Sequence, residues 1–307
     1  MLIRALTAAD IPAGQRLREQ AGWNQTAEDW HRLLAWDAAG CWVAQADGPA
    51  GTGGPVVGTT AVTSYGNRIA WVGMVLVDEA HRRQGIGQAL LTHALAYLEA
   101  RSIQTVALDS TPAGQPLYAR LGFVDAFELA RWRGPFPALA GSSTAGGPCT
   151  AKSTQTPAIR PMRPADLPAV AAYDARSFGT DRAHILGALL AGHPASCAIA
   201  EHDGRVVGYC LSRPGARAWH LGPLAADDPQ TAQALVAAAL TAATSPAGPG
   251  VQRELVMDVV TPNGAAVQLA QALGLTLVRP FIRMTRGAPP PGVDAARLYT
   301  SAGPELG

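Results

Sequence analysis

The chain has 307 residues, 48% of them hydrophobic and 15% charged, with a formal net charge of +1. That apolar content is enough for two cores of ordinary size and excludes a disordered chain. The near-neutral balance excludes nucleic acid as the main partner, and no apolar run approaches the ~20 residues that a membrane span needs.

In chain order, Leu2 to Ala5 reads as a short strand, and Ala8 to Leu34 as helical segments. Two strands follow, Cys41 to Gln45 and Val56 to Ser64, joined by the Gly-rich insertion from Asp47 to Pro55. Trp71 to Val77 is a continuous apolar run, the pattern of a buried strand. From Gln84 to about Ala100 the spacing predicts a helix with Ile86, Ala89, Leu90, Ala94, Tyr97 and Leu98 on one buried face. Thr105 to Leu108 is a further strand, Pro116 to Leu121 a short helix, and a closing strand begins at Phe123. The order is that of an α/β layer fold with a mixed sheet.

The same order is then written again. Ile3 to Ala13 returns as Ile159 to Ala169, and the runs from Pro55, Trp71 and Thr105 return from Arg205, Trp219 and Leu255, at an offset of roughly 150 residues. The expected organisation is a first domain over 1–135, a Gly/Pro/Ser/Thr-rich linker over 136–157, a second domain over 158–287 and a flexible tail over 288–307. The four cysteines (Cys41, Cys149, Cys197 and Cys210) lack C-x-x-C or metal-ligand spacing. They read as free thiols in a reducing compartment. With no secretory signal at the N-terminus, the expected location is the cytoplasm. The histidines make no i, i+4 pair with a nearby acid, so no metal is expected.

The informative stretch is Val75 to Leu91: strand, loop, glycine-rich turn, helix. Arg82, Arg83, Gln84, Gly85, Ile86, Gly87 and Gln88 put two glycines at a helix start, where unpaired amides and the positive dipole end favour an anion. The two arginines add charge-assisted contacts. A dinucleotide fingerprint would need a third glycine where Leu90 stands, though Asp109 sits where a ribose-binding acid would lie.

The strand Val75, Leu76, Val77, the Arg82–Gly87 turn and the helix that follows resemble the acetyl-CoA-binding motif of the GNAT N-acetyltransferases. A second motif of that superfamily stands as Leu117 to Phe123, with Tyr118 before the Leu121–Gly122–Phe123 step. The chain as a whole resembles a bacterial tandem GNAT protein, with two tandem GNAT-like domains, each a mixed twisted sheet flanked by helices. The resemblance implies backbone contacts from Val75 and Val77 to the pantetheine arm, and amides from Arg82 through Gln88 on the pyrophosphate. It also implies a backbone amide near Val75 or Val77 that polarises the thioester carbonyl, and Tyr118 as the acid that protonates the leaving thiolate. It further implies direct acetyl transfer from acetyl-CoA to a small-molecule amine, with no metal and no covalent intermediate.

The second copy departs from this pattern. Ala270 stands where Tyr118 does, and the loop Leu224 to Val236 carries Asp227, Asp228 and Pro229 in place of the arginines and glycines. That leaves it as a scaffold, a pocket wall or a surface for a homodimer. Asn263 matches a motif asparagine of the superfamily where the first copy has Thr111. Trp23, Asn24 and Trp30 are the residues expected to shape the acceptor pocket. No general base stands out among Asp78, Glu79, His81, Asp109, Glu28 and Asp29. Two other readings remain open: a CoA-responsive binding protein without turnover, and a dinucleotide-binding oxidoreductase.

Overall fold

The computed structural model describes residues 1–49, 53–137, 156–243, 253–289 and 292–307. The first half runs β1 (Leu2–Ala5), α1 (Ile11–Gln20), α2 (Ala27–Asp37), β2 (Cys41–Asp47), β3 (Gly53–Tyr65), β4 (Ile69–Val77), α3 (Ile86–Ala100), β5 (Thr105–Ser110), α4 (Gln115–Arg120) and β6 (Val124–Pro135). The second half repeats that order: β7 (Ala158–Pro161), α5 (Leu167–Phe178), α6 (Ala183–Gly192), β8 (Ala198–His202), β9 (Arg205–Arg213), β10 (Trp219–Ala226), α7 (Pro229–Ala243), β11 (Glu254–Val260), α8 (Gly264–Ala272) and β12 (Thr276–Gly287). It then adds β13 (Leu298–Thr300).

Local chemistry sets the helix ends. The helical stretch expected from Ala8 to Leu34 is broken at Gly22, whose φ of 66° suits glycine. It restarts at Thr26, whose hydroxyl accepts from the Asp29 amide while the Asp29 carboxylate accepts from the Thr26 amide. Helix α3 buries Ile86, Leu90, Leu91, Ala94, Leu95 and Leu98 against the first-half strands. The repeat also shows in its ion pairs. Arg4 holds Asp10 with two hydrogen bonds in the first half, and Arg160 holds Asp166 the same way in the second.

The strands form one sheet in the order β1-β2-β3-β4-β5-β12-β6-β11-β13-β10-β9-β8-β7. The two halves are joined by exchange. Strand β12 of the second half lies between β5 and β6, antiparallel to both, and β6 of the first half lies between β12 and β11. Two buried ion pairs seal the exchange in matching positions. Arg131 of β6 grips Asp258 of β11 at 2.7 Å twice, and Arg283 of β12 grips Asp109 of β5 at 2.8 and 2.9 Å. On one face, α1, α2, α5 and α6 share a core through residues such as Leu17, Leu33, Phe178 and Leu189. On the other, α3 covers the first-half strands and α7 with α8 cover those of the second.

The tail expected to be flexible from Ala288 is a correction. Leu298–Thr300 is a buried strand inside the sheet, and Ser301, Ala302, Leu306 and Gly307 are buried as well. The reason is tertiary: the segment has no periodicity of its own and takes its order from β10 and β11 on either side. Cys149 and most of the expected linker lie outside the described residues, and Cys41, Cys197 and Cys210 are free and buried. Among the described residues no helix is long and apolar enough to cross a membrane.

Candidate active site

Strands β4 and β5 run parallel and pair only over Ile69–Trp71 with Thr105–Ala107. Beyond Trp71 they separate. On its other edge β4 stays paired to β3, with an irregularity between Gly73 and Leu76 where Met74 takes a φ of 53°. The backbone of Val72 to Val77 therefore presents an edge toward β5 that no strand among the described residues covers. A pocket of about 180 Å³ opens there, lined by Gly73, Met74, Val75, Asp109, Thr111 and Tyr118, among others. Leu76 turns its side chain into the core, while Val75 and Val77 pack at the margin of α3.

The loop after β4 leads to the N-terminus of α3. Gly85 caps it with a φ of 79°, and a side chain there would meet nothing within 4 Å. The first bond back to the loop is the Ala89 amide on the Gly85 carbonyl at 2.9 Å, so the amides before it face outward. Arg82, Arg83, Gln84, Gly85 and Gln88 are exposed, Gly87 is half-buried, and Ile86 is buried, so Ile86 offers only its backbone. Arg82 leans on Glu79, and among the described residues Arg83 makes no ion pair. The arrangement is an open cradle for an anion, and its amides, free arginine and spare strand edge fit a diphosphate carrying an extended arm.

Tyr118 sits on α4, edge-on to Phe123, with its ring against Gly114. Burial pushes its phenol up to about 12. Among the described residues its hydroxyl makes no hydrogen bond, and it lines the pocket. Tyr118 is thus a protonated, uncommitted donor beside the β4 edge.

The structure separates the three residues expected at the acceptor pocket. Trp23 lines it. Asn24 is a structural clamp instead, since its side chain accepts from the Arg217 and Ala218 amides and donates to the Ala218 carbonyl. Trp30 is corrected to a core residue, 1% exposed and packed on Gly14. The carboxylates considered as bases are mostly committed elsewhere. Asp78 is held well below the usual carboxylate range by His81 and Arg16. Asp29 serves the α2 cap and Arg32. Asp109 binds Arg283; burial raises its pKa and that guanidinium opposes the rise. Glu79 pairs with Arg82 and Glu28 with Arg32, both at the surface. Sequence reasoning missed Gln25, Arg131, Arg279, Pro304 and Glu305, which also line the pocket. Arg131, Arg279 and Glu305 come from the second half or the exchanged strand, and no local pattern points to them.

In the second half the matching opening is filled. Strands β10 and β11 pair at Trp219–His220 with Leu255–Val256 and then separate. Strand β13 lies in the gap, pairing Leu224 with Thr300 and Ala225 with Leu298 on β10, and Val259 with Thr300 on β11. Asn263 caps α8 and donates to the carbonyls of Ala296 and Leu298. At the α7 start, Asp228 accepts from the Thr231 amide and hydroxyl, and Asp227 pairs with Arg297 and Tyr173.

The profile of the acetyltransferase (GNAT) family matches residues 13–123, and an acetyltransferase (GNAT) domain profile matches residues 170–300. An uncharacterized N-acetyltransferase, YitH, from Bacillus subtilis is 25% identical over 72% of this chain and 71% of its own length. A mycothiol acetyltransferase from Sanguibacter keddieii is 29% identical over 69% of this chain and 73% of its own. The fold of a candidate acetyltransferase from Pyrococcus horikoshii superposes with a TM-score of 0.74 at 21% identity, covering 100% of this chain and 95% of that one. A GCN5-related N-acetyltransferase from Sphaerobacter thermophilus gives 0.62 at 18%, covering 93% and 95%. The chain belongs to the GNAT acetyltransferases, carries two such domains in tandem and is an N-acetyltransferase.

Proposed function

We propose that the first half, residues 1–135 completed by β12, transfers the acetyl group of acetyl-CoA directly to the amine of a small molecule, and that the second half binds no coenzyme. The observation that carries this reading is the contrast between two matching slots. The edge of β4 is uncovered and lies beside Tyr118, whereas the edge of β10 is covered by β13, and Ala270 replaces the tyrosine.

In this reading the backbone of Val75 and Val77 pairs with the pantetheine arm, as Leu224 and Ala225 pair with β13. The amides from Arg82 through Gln88 and the Arg83 guanidinium hold the diphosphate. The backbone beside the Gly73–Met74 irregularity supplies the donor for the thioester oxygen as it becomes anionic. Tyr118 protonates the departing sulfur. A pocket of about 180 Å³ suits a small acceptor, and the relative named mycothiol acetyltransferase supports a small-molecule substrate.

Calorimetric titration of the full chain with acetyl-CoA tests it. One site per chain is expected, and Arg83→Ala should weaken binding by about tenfold, the scale of one charge-assisted contact. Two sites would mean that coenzyme displaces β13, and no binding would end the transferase assignment of this slot.

A further inference from the structure

We propose that Glu305 is the general base of the first-half site, taking the proton of the acceptor amine as that amine attacks the thioester. The proposal rests on the reading that the first half is the active one.

The path of the chain brings Glu305 there. After β13 leaves the second-half slot, the Ser301 amide donates to the Asp258 carbonyl, and the segment crosses to the first half. Trp71 Nε1 donates to the Pro304 carbonyl at 2.8 Å and Tyr65 to the Leu306 carbonyl at 2.6 Å. Arg182 donates to the Gly307 carbonyl at 2.7 Å. These bonds lay the segment on the irregularity of β4. The approach is so close that a Cβ on Gly73 would stand 2.7 Å from the Glu305 Cα. Glu305 therefore lines the same pocket as Gly73, Met74, Val75 and Tyr118. The stretch that closes one coenzyme slot delivers a carboxylate to the other.

The surroundings of that carboxylate suit a base. Gln25 Nε2 donates to it at 2.6 Å and Arg213 of β9 at 3.2 Å. A carboxylate has about four acceptor positions, so lone pairs remain. Asp109 is likewise bonded at both oxygens, but by the two-point grip of a single guanidinium, Arg283, at 2.8 and 2.9 Å. Burial raises the Glu305 carboxyl to about 7, Arg213 opposes the rise and Asp29 of α2 adds to it. Arg131 of β6 and Tyr65 of β3 also feel its charge, and Asp109 and Arg279 face the same pocket. A carboxyl titrating near neutrality is matched to accepting a proton at working pH.

The step balances without a further reactant. The amine nitrogen bonds to the acetyl carbon and gives its proton to Glu305. The carbon–sulfur bond breaks, the sulfur leaves with the electron pair, and it takes the proton of Tyr118. Solvent then moves the proton from Glu305 back to the phenolate.

The test follows release of CoA from acetyl-CoA with a thiol reagent, using water and then excess ethylamine as acceptor. In the wild type the rate should rise with pH through about 7. With the concentration of unprotonated ethylamine held constant across the pH series, Glu305→Gln should lower it by about 10²–10⁴-fold and abolish that rise, while acetyl-CoA affinity stays unchanged. Glu305→Asp should restore the rise and part of the rate. Infrared titration of the full chain should show one carboxyl near neutrality that is absent in Glu305→Gln. An unchanged rate and pH profile in Glu305→Gln, or the same carboxyl signal in both proteins, would overturn the proposal. Retained acetyl-CoA binding in that case removes Glu305 alone, whereas loss of wild-type binding removes the site itself.

Discussion

Tyr118 has the properties of a residue that must keep its proton until sulfur leaves. Burial holds its phenol at about 12, so it is neutral across any ordinary working range, and among the described residues its hydroxyl is not tied to a neighbour. Removing the hydroxyl leaves the ring, its packing on Phe123 and the pocket wall in place. Tyr118→Phe should therefore lower kcat by about 10²–10⁴-fold, with acetyl-CoA affinity within about twofold. Steady-state kinetics beside calorimetry check this, and an equal loss in both quantities would make Tyr118 a binding residue. An unchanged kcat would leave the thiolate to depart unaided. The motif around Tyr118 is contiguous, and so this candidate was legible in the sequence. Glu305 was not, because it lies far along the chain from β4 and follows a Pro- and Gly-rich run that carries no periodic signal. Trp30 shows the opposite failure: an aromatic on a short helix has the same pattern whether it faces a pocket or the core.

Strand β13 shows how one short element can decide what a whole slot does. Three residues do not make a strand by propensity, and Leu298–Thr300 is extended because β10 and β11 offer main-chain partners on both sides. Asn263 fixes the approach by holding two carbonyls of the segment while capping α8. Asn263→Ala removes both contacts and the cap, so it should cost about 2 kcal/mol. It should also speed amide exchange at residues 296–302, where hydrogen exchange with mass spectrometry reads it. Coenzyme binding at α3 should be unaffected. Unchanged exchange would show that strand pairing alone retains the segment. Element identities were otherwise readable: α3 was legible from its apolar spacing, and β4 from its unbroken apolar run, since each pattern is dictated by what the element itself buries. The second-half loop was also legible in part. Asp227 and Asp228 argued against a diphosphate there, and Asp228 is found filling the α7 N-terminus.

At the scale of the molecule the duplication was plain in the sequence, but the exchange of β6 and β12 was not. Pairing across more than a hundred residues leaves no mark on local hydrophobic pattern. Its consequence is that neither half is complete alone. Without β12, β5 loses the partner on its outer edge and Asp109 is buried with no Arg283. Without β6, β11 loses the partner on one edge and Asp258 its Arg131. Breaking one such buried pair costs about 3–5 kcal/mol, and because both pairs cross between the halves, each half alone would lose both partners together with its strand neighbours. Typical domain stability is only about 5–15 kcal/mol, so the deficit is decisive. The full chain should unfold in a single calorimetric transition, and residues 1–137 or 156–307 produced alone should aggregate or lack near-ultraviolet circular dichroism. Produced together, the two fragments should associate and regain one transition. Two resolved transitions in the intact chain, or a folded monomeric 1–137 fragment, would show that the exchange joins two halves already stable in themselves.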